Sequence, residues 1–287
     1  MGVISNILFP VDFSGSCIAM APYVKRAAAL SGAKVTLIHV FDPASYNGFE
    51  LYIRRAEEIN EEHEVIARGR LNAFLVDEFP AAEHSRIVLA GDAATQIART
   101  ARDEFDLIIM PTHAGFFRRM LLGSVTAKVL NDADCPVLTS RHAEEITPHP
   151  LEHRQWLCAI GMGENSERVL RYAHEKAIGM GAKVTIIHAI QSEEGAPTIQ
   201  LDLEEQLHSK EKSAALESIA ELQKKIGSHY PVKVTVGNVK AALLEAARQT
   251  EADVLMIGRS PKPGGEGRLR DLTYAMVRDS PYPVLSI

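Results

Sequence analysis

Gly123-Ser124-Val125, just ahead of an apolar-periodic stretch, has the makings of a phosphate contact. Glycine lets the backbone come close to phosphate oxygens with its N–H groups aimed at them, and the start of a helix adds partial positive charge. A plain helix N-cap is the alternative use of the same pair. Asp12 closes the apolar run Ile7-Leu-Phe-Pro-Val11 and serves either a ligand at the strand's end or the turn that follows. Gly161-Met-Gly163-Glu-Asn-Ser166 has the outline of a dinucleotide loop, but serine replaces the third glycine and Ile190-Gln191 stands where the ribose-binding acid belongs. His142, His149, Glu152 and His153 are metal-ligand types, yet a proline-containing linker accounts better for them, and no metal site is expected. His39 and His188 lie inside apolar runs and read as hydrogen-bonded core histidines rather than acid/base catalysts. A Walker A loop, a G-x-S-x-G elbow and an H-E-x-x-H pair are all missing, so no catalytic residue is assigned.

Such residues need a scaffold, and the chain repeats one. Ser31-Gly-Ala-Lys-Val-Thr-Leu-Ile-His39 returns as Met180-Gly-Ala-Lys-Val-Thr-Ile-Ile-His188. At nearly the same offset Asp106-Leu-Ile-Ile-Met110 returns as Asp253-Val-Leu-Met-Ile257, and Cys135-Pro-Val-Leu138 as Tyr282-Pro-Val-Leu285. A repeated unit is the reading, with domains at 1–141 and 155–287 and a linker at 142–154 rich in His, Pro and Glu. In the first copy the pattern predicts strands at 7–11, 34–40, 86–90, 106–110 and 136–139, with helices from Ser14 or Ser16 to Gly32, at 49–76, at 93–103 and after Gly123. Pro22 falls either in the first turns of its helix or at a kink. Strands apolar on both faces, separated by helices, predict an α/β fold: tandem doubly wound domains, each a five-stranded parallel sheet flanked by helices. Ligands of such sheets bind at the carboxyl ends of the strands.

Composition narrows the setting. With 287 residues, 46% hydrophobic, 24% charged and a mean hydropathy near zero, the chain reads as a soluble pair of globular domains rather than a disordered or disulfide-built one. No run approaches the roughly 20 apolar residues of a membrane span, and the first residues lack a secretory pattern, which points to the cytoplasm and to no membrane partner. Cys17, Cys135 and Cys158 are odd in number and far apart, as buried thiols would be. The net charge of −6 argues against a nucleic-acid partner. Glu57, Glu58, Glu61, Glu62 and Glu64 form a solvated acidic face, with partner docking as the alternative.

Taken in order, Ile7-Leu-Phe-Pro-Val-Asp-Phe-Ser14, Val35-Thr-Leu-Ile-His-Val40, Asp106-Leu-Ile-Ile-Met-Pro-Thr-His113 and Leu121-Leu-Gly-Ser-Val-Thr-Ala-Lys-Val129 leading to Cys135-Pro-Val resemble the universal stress protein family in its tandem form. The second copy adds Gly258-Arg-Ser-Pro261 and Ser280-Pro-Tyr-Pro-Val-Leu-Ser286. The resemblance implies an adenine nucleotide alpha hydrolase-like fold, dimer formation and, in one branch, ATP held by a G-x-x-G loop followed after nine residues by G-S/T. It assigns a cofactor site to Pro10, Val11, Asp12, Val40, Met110, Pro111, Thr112, Ala114, Gly115, Gly123, Ser124 and Val125, with Asp12 at the adenosine and Val40 offering backbone groups to the adenine edge. ATP, with Mg2+ as its companion, is the implied cofactor.

Departures from the pattern matter as much. Pro111 stands at the first glycine and has no N–H to give, Ala114 stands at the second, and the loop to Gly123 is one residue short, so that Gly115 is left to take over. Arg118 and Arg119 in that loop are either phosphate contacts or solvated side chains. In the second copy Gly161 replaces Asp12 and Arg270-Asp271 replace Gly123-Ser124, so that half is expected to be degenerate despite the glycines at 258, 264, 265 and 267. The expected function is a stress-response regulatory protein binding ATP or a related adenine nucleotide in its first domain. The rival is a nucleotide-independent dimerisation scaffold, and slow hydrolysis or autophosphorylation at Ser124 is the most catalysis the residues allow. The last strands of the two copies are candidate edges for a homodimer or an intrachain pseudo-dimer.

Overall fold

The computed structural model describes residues 4–43, 50–112, 122–140, 152, 154–163, 165–192, 201–259 and 268–287, with backbone only at 50–56, 201–206 and 268–271. The chain divides into two compact units, one holding Ile4–Ile146 and the other Thr147–Ile287.

In the first unit the order is β1 (Asn6–Pro10), α1 (Gly15–Ser31), β2 (Lys34–Phe41), α2 (Glu50–Ala73), β3 (Ser85–Ala90), α3 (Ala93–Glu104), β4 (Leu107–Pro111), α4 (Ser124–Asp132) and β5 (Val137–Ser140). Every pairing is parallel, in the order β3-β2-β1-β4-β5. From β1 the sheet is extended by β2 on one side and by β4 on the other, which makes the carboxyl ends of β1 and β4 a topological switch point where helices diverge and leave a crevice.

Local chemistry explains the boundaries. Ser14, not Ser16, caps α1 by accepting from the Cys17 N–H, and Gly32 ends it at φ +72, a region that costs glycine nothing. Pro22 lies well inside α1; the carbonyl its missing N–H would have met belongs to Ile18, a half-exposed residue. Leu75, at φ +50, stops α2 short of the expected residue 76. The last strand begins after Pro136, not at it, because proline has no N–H for the ladder; its carbonyl still accepts from Ile108. Asp106 clamps the start of β1 by accepting from the Ser5 and Asn6 N–H groups. Ile7, Leu8 and Phe9 are all fully buried, as a strand covered on both faces must be.

The second unit repeats the plan: β6 (Gln155–Ala159), α5 (Asn165–Met180), β7 (Lys183–Gln191), α6 (Leu201–Ile226), β8 (Val232–Gly237), α7 (Val239–Gln249), β9 (Val254–Ile257), α8 (Arg268–Asp279) and β10 (Val284–Ser286). Its strands are parallel in the order β8-β7-β6-β9-β10. Asp253 clamps β6 through the Arg154 and Gln155 N–H groups as Asp106 clamps β1, and Asn238 caps α7 as Asp92 caps α3. The parallel sheets flanked by helices that the sequence predicts are therefore present in both units.

The expected linker from 142 onward, with His142, His149 and His153, lies outside the described residues apart from Glu152 and Arg154, which form an ion pair. Among the described residues no group of His, Cys, Asp or Glu is placed to hold a metal ion, and no helix is long and apolar enough to cross a membrane. Cys17, Cys135 and Cys158 are buried and are not joined in disulfides. The five glutamates of α2 are exposed, with Glu64 paired to Arg68 one turn on.

Candidate functional site

The switch point of the first unit opens into a cavity of about 340 Å3. Pro10, Val11 and Asp12 reach it from the end of β1, Val40 from β2, Met110 and Pro111 from β4, and Gly123, Ser124 and Val125 from the start of α4. Residues more than a hundred positions apart in the chain thus share one wall, because parallel strands deliver all their carboxyl ends to the same edge. Thr112 is buried and does not line the cavity; its carbonyl accepts the Gly123 N–H at 2.8 Å and so pins the approach to α4. Ala114 and Gly115, with His113, Arg118 and Arg119, lie outside the described residues.

The lining also includes Cys17, Ile38, His39, Ala93, Ile97, Leu122 and Thr126, which the sequence reading does not single out as site residues. Ala93 and Ile97 were within reach of inference, since α3 starts at the same sheet edge where β3 ends. His39 is hydrogen-bonded as expected, its Nδ1–H donating to the Val11 carbonyl at 2.8 Å, but it is only half-buried and faces the cavity's surroundings rather than the core.

Asp12 is held as a carboxylate. Burial pushes its pKa up, but hydrogen bonds from Ser14 and from the Cys17 thiol outweigh that and leave it below the usual aspartate value. The same contact works the other way on Cys17: burial, helped by the Asp12 charge, pushes the thiol up to about 12. With almost no thiolate at neutral pH, Cys17 should resist alkylation. Iodoacetamide at pH 8 is therefore expected to leave the Cys17 peptide unmodified in native protein and to label it fully after unfolding; rapid native labelling, read by mass spectrometry, would contradict this environment.

At the other end α4 begins without a side-chain cap, because its N-cap is Gly123. The first N–H groups of a helix have no carbonyl behind them, so those of Ser124 and Val125 remain donors at the cavity rim, together with the helix dipole. Thr126 donates its hydroxyl to the Pro111 carbonyl at 3.1 Å and ties this first turn to the end of β4. Ile38, Ile97 and Met110 supply apolar wall between the two polar ends. A carboxylate at one end, backbone donors at the other and an apolar middle suit a ligand with hydroxyls, an anionic tail and a flat apolar body.

The equivalent place in the second unit is a cavity of about 440 Å3 bounded by Gly161, His188, Gly258 and Thr273. Among the described residues no carboxylate lines it, and the side chains of Arg270 and Asp271 lie outside the description. Gly264, Gly265 and Gly267 do as well.

The model of the universal stress protein family matches residues 4–141 and again 153–287. The chain belongs to that family, with its domain present twice. Universal stress protein Rv2623 of Mycobacterium tuberculosis is 23% identical over 274 residues, covering 92% of this chain and 89% of that one. Among solved structures, a universal stress protein from Archaeoglobus fulgidus overlaps 98% of this chain and 97% of its own at 23% identity, with a TM-score of 0.68, a likeness of fold. A universal stress protein solved in complex with cAMP is similar over 47% of this chain and 96% of its own, at 22% identity and a TM-score of 0.36.

Proposed function

We propose that this protein acts in a stress response by binding ATP or a related adenine nucleotide in its first unit, and that it dimerises. One observation carries the ligand reading: Asp12, Val40 and the start of α4 line a single cavity at the switch point of the sheet. In this reading the ribose hydroxyls meet the Asp12 carboxylate, the adenine edge meets backbone groups at Val40, and the phosphates lie at Ser124 and Val125. Mg2+ would arrive with the phosphates, since no described cluster of side chains would hold it unaided. The protein works in the cytoplasm, and neither nucleic acid nor membrane is its partner.

A second reading has its own support. Pro111 has no N–H, and the Gly123 N–H is already spent on the Thr112 carbonyl, so the phosphate end offers fewer donors than glycines at those positions suggest. A nucleotide-independent interaction scaffold fits that loss. Thermal unfolding with and without ATP separates the two. At a hundredfold excess over Kd a native-state ligand adds about 2.7 kcal/mol, a rise in Tm of roughly 5–10 °C for a unit of this size. No shift and no calorimetric signal at millimolar ATP would leave the scaffold. The mass in solution, one chain or two, decides between an intrachain pseudo-dimer and a homodimer.

A further inference from the structure

At one place the two units part company although their backbones agree. In the first, the Phe13 ring lies 4.4 Å from the His39 ring, meets Phe74 edge-on at 5.3 Å, and carries the Arg70 guanidinium 4.3 Å above its centroid. Phe13 holds φ +64, a costly region for a residue with a bulky side chain, and this stack of contacts is what keeps it there. In the second unit the partner ring is retained: His188 donates its Nδ1–H to the Ile160 carbonyl at 2.9 Å, just as His39 does to Val11. The residues at the places of Phe13, Arg70 and Phe74 are neither aromatic nor cationic. Met162 takes the place of Phe13 and is half exposed. Aligning the buried pair Ala67 and Leu71 of α2 with the buried pair Ala215 and Ile219 of α6 puts Ser218 at Arg70 and Leu222 at Phe74.

The three replacements, Met162, Ser218 and Leu222, and the retained His188 line one groove of about 670 Å3, within the usual size of a small-molecule site. The first unit thus fills with its own ring and its own cation a space that the second leaves open beside the same histidine. Charge agrees with shape. Glu167 and Glu211 border the groove, and among the described residues no Lys or Arg lines it. Glu167 is paired with Arg171 and Lys225, whereas among the described residues Glu211 is paired with His208 alone, at 3.2 Å. We propose that this groove binds a planar aromatic cation, its ring stacked on His188 where Phe13 would lie and its charge held by Glu211 in place of the missing guanidinium. The site is separate from the nucleotide reading of the first unit and does not depend on it.

Proflavine, a flat fluorescent cation, is a suitable probe on the full chain, followed by anisotropy at 0.15 M salt. Saturable binding of one dye per chain is expected, with no competition from the anionic 1-naphthalenesulfonate. Met162→Phe combined with Ser218→Arg rebuilds the first unit's plug and should weaken binding by about tenfold or more, the loss expected when a stacking and cation site is filled. Glu211→Gln lies on an exposed face and keeps the question answerable should the double variant fold poorly; a loss of roughly two- to fivefold is expected from one charge pair at a partly solvated site. No binding at millimolar dye, or an affinity unchanged in both variants, overturns the proposal.

Discussion

Gly123→Asp is expected to abolish adenine-nucleotide binding while leaving the first unit as stable as before, or slightly more so. Gly123 has φ −60 and ψ 140, an extended conformation open to any residue, so backbone strain does not enter. It is the N-cap of α4 and supplies no side-chain acceptor. Aspartate is among the best N-caps, worth a few tenths of a kcal/mol over glycine at that position. The same carboxylate would sit at the rim where the phosphates are placed, accepting from the Val125 or Thr126 N–H as an N-cap does and setting a like charge against them. A loss of about 100-fold in affinity, or more, follows from a new charge at that distance in a partly screened site. The experiment is ATP calorimetry beside a thermal melt. Lower affinity at unchanged or raised Tm supports the placement of the phosphates; unchanged affinity removes them from α4. The second unit has run a version of this experiment, since Asp271 stands where Ser124 does and Gly161 where Asp12 does.

Much of this was legible in the residues, and what was not has identifiable causes. The parallel order followed from strands such as Val35–Ile38, apolar on both faces, and from the repeated His39 and His188. Asp12 and Ser124 could be placed on one edge because a parallel sheet ends all its strands together. The use already made of the Gly123 N–H was hidden, because the Thr112 carbonyl that takes it belongs to a backbone path and leaves no mark on side-chain types. Cys17 was seen only as a core thiol; its bond to Asp12 depends on the first turn of α1 folding back over the end of β1. The stack on His39 was invisible too, since nothing in Phe13 announces a positive φ, and neither Arg70 nor Phe74 is near it in sequence.

Phe79→Ala should be among the most damaging single truncations of the first unit, costing about 3–5 kcal/mol, as loss of a fully buried aromatic does. Phe79 is 1% exposed and meets the fully buried Phe9 edge-on at 6.0 Å. It belongs to the turn that follows α2, where its N–H donates to the Leu75 carbonyl, so one ring fastens the connection between α2 and β3 to the underside of β1. His84 packs against its other side at 5.4 Å, which leaves the neighbours little freedom to close the gap. Against a typical stability of about 5–15 kcal/mol, such a loss should lower the melting of this unit by roughly 10–20 °C. The second unit gives the contrast. Cys158 occupies the place of Phe9 and is fully buried, but Cys158→Ala removes far less volume than loss of a ring and should cost only about 1–2 kcal/mol. Calorimetric melts of both variants test the pair: if Phe79→Ala shifts the transition no more than Cys158→Ala does, the aromatic contact beneath β1 is not what braces the strand that carries Asp12.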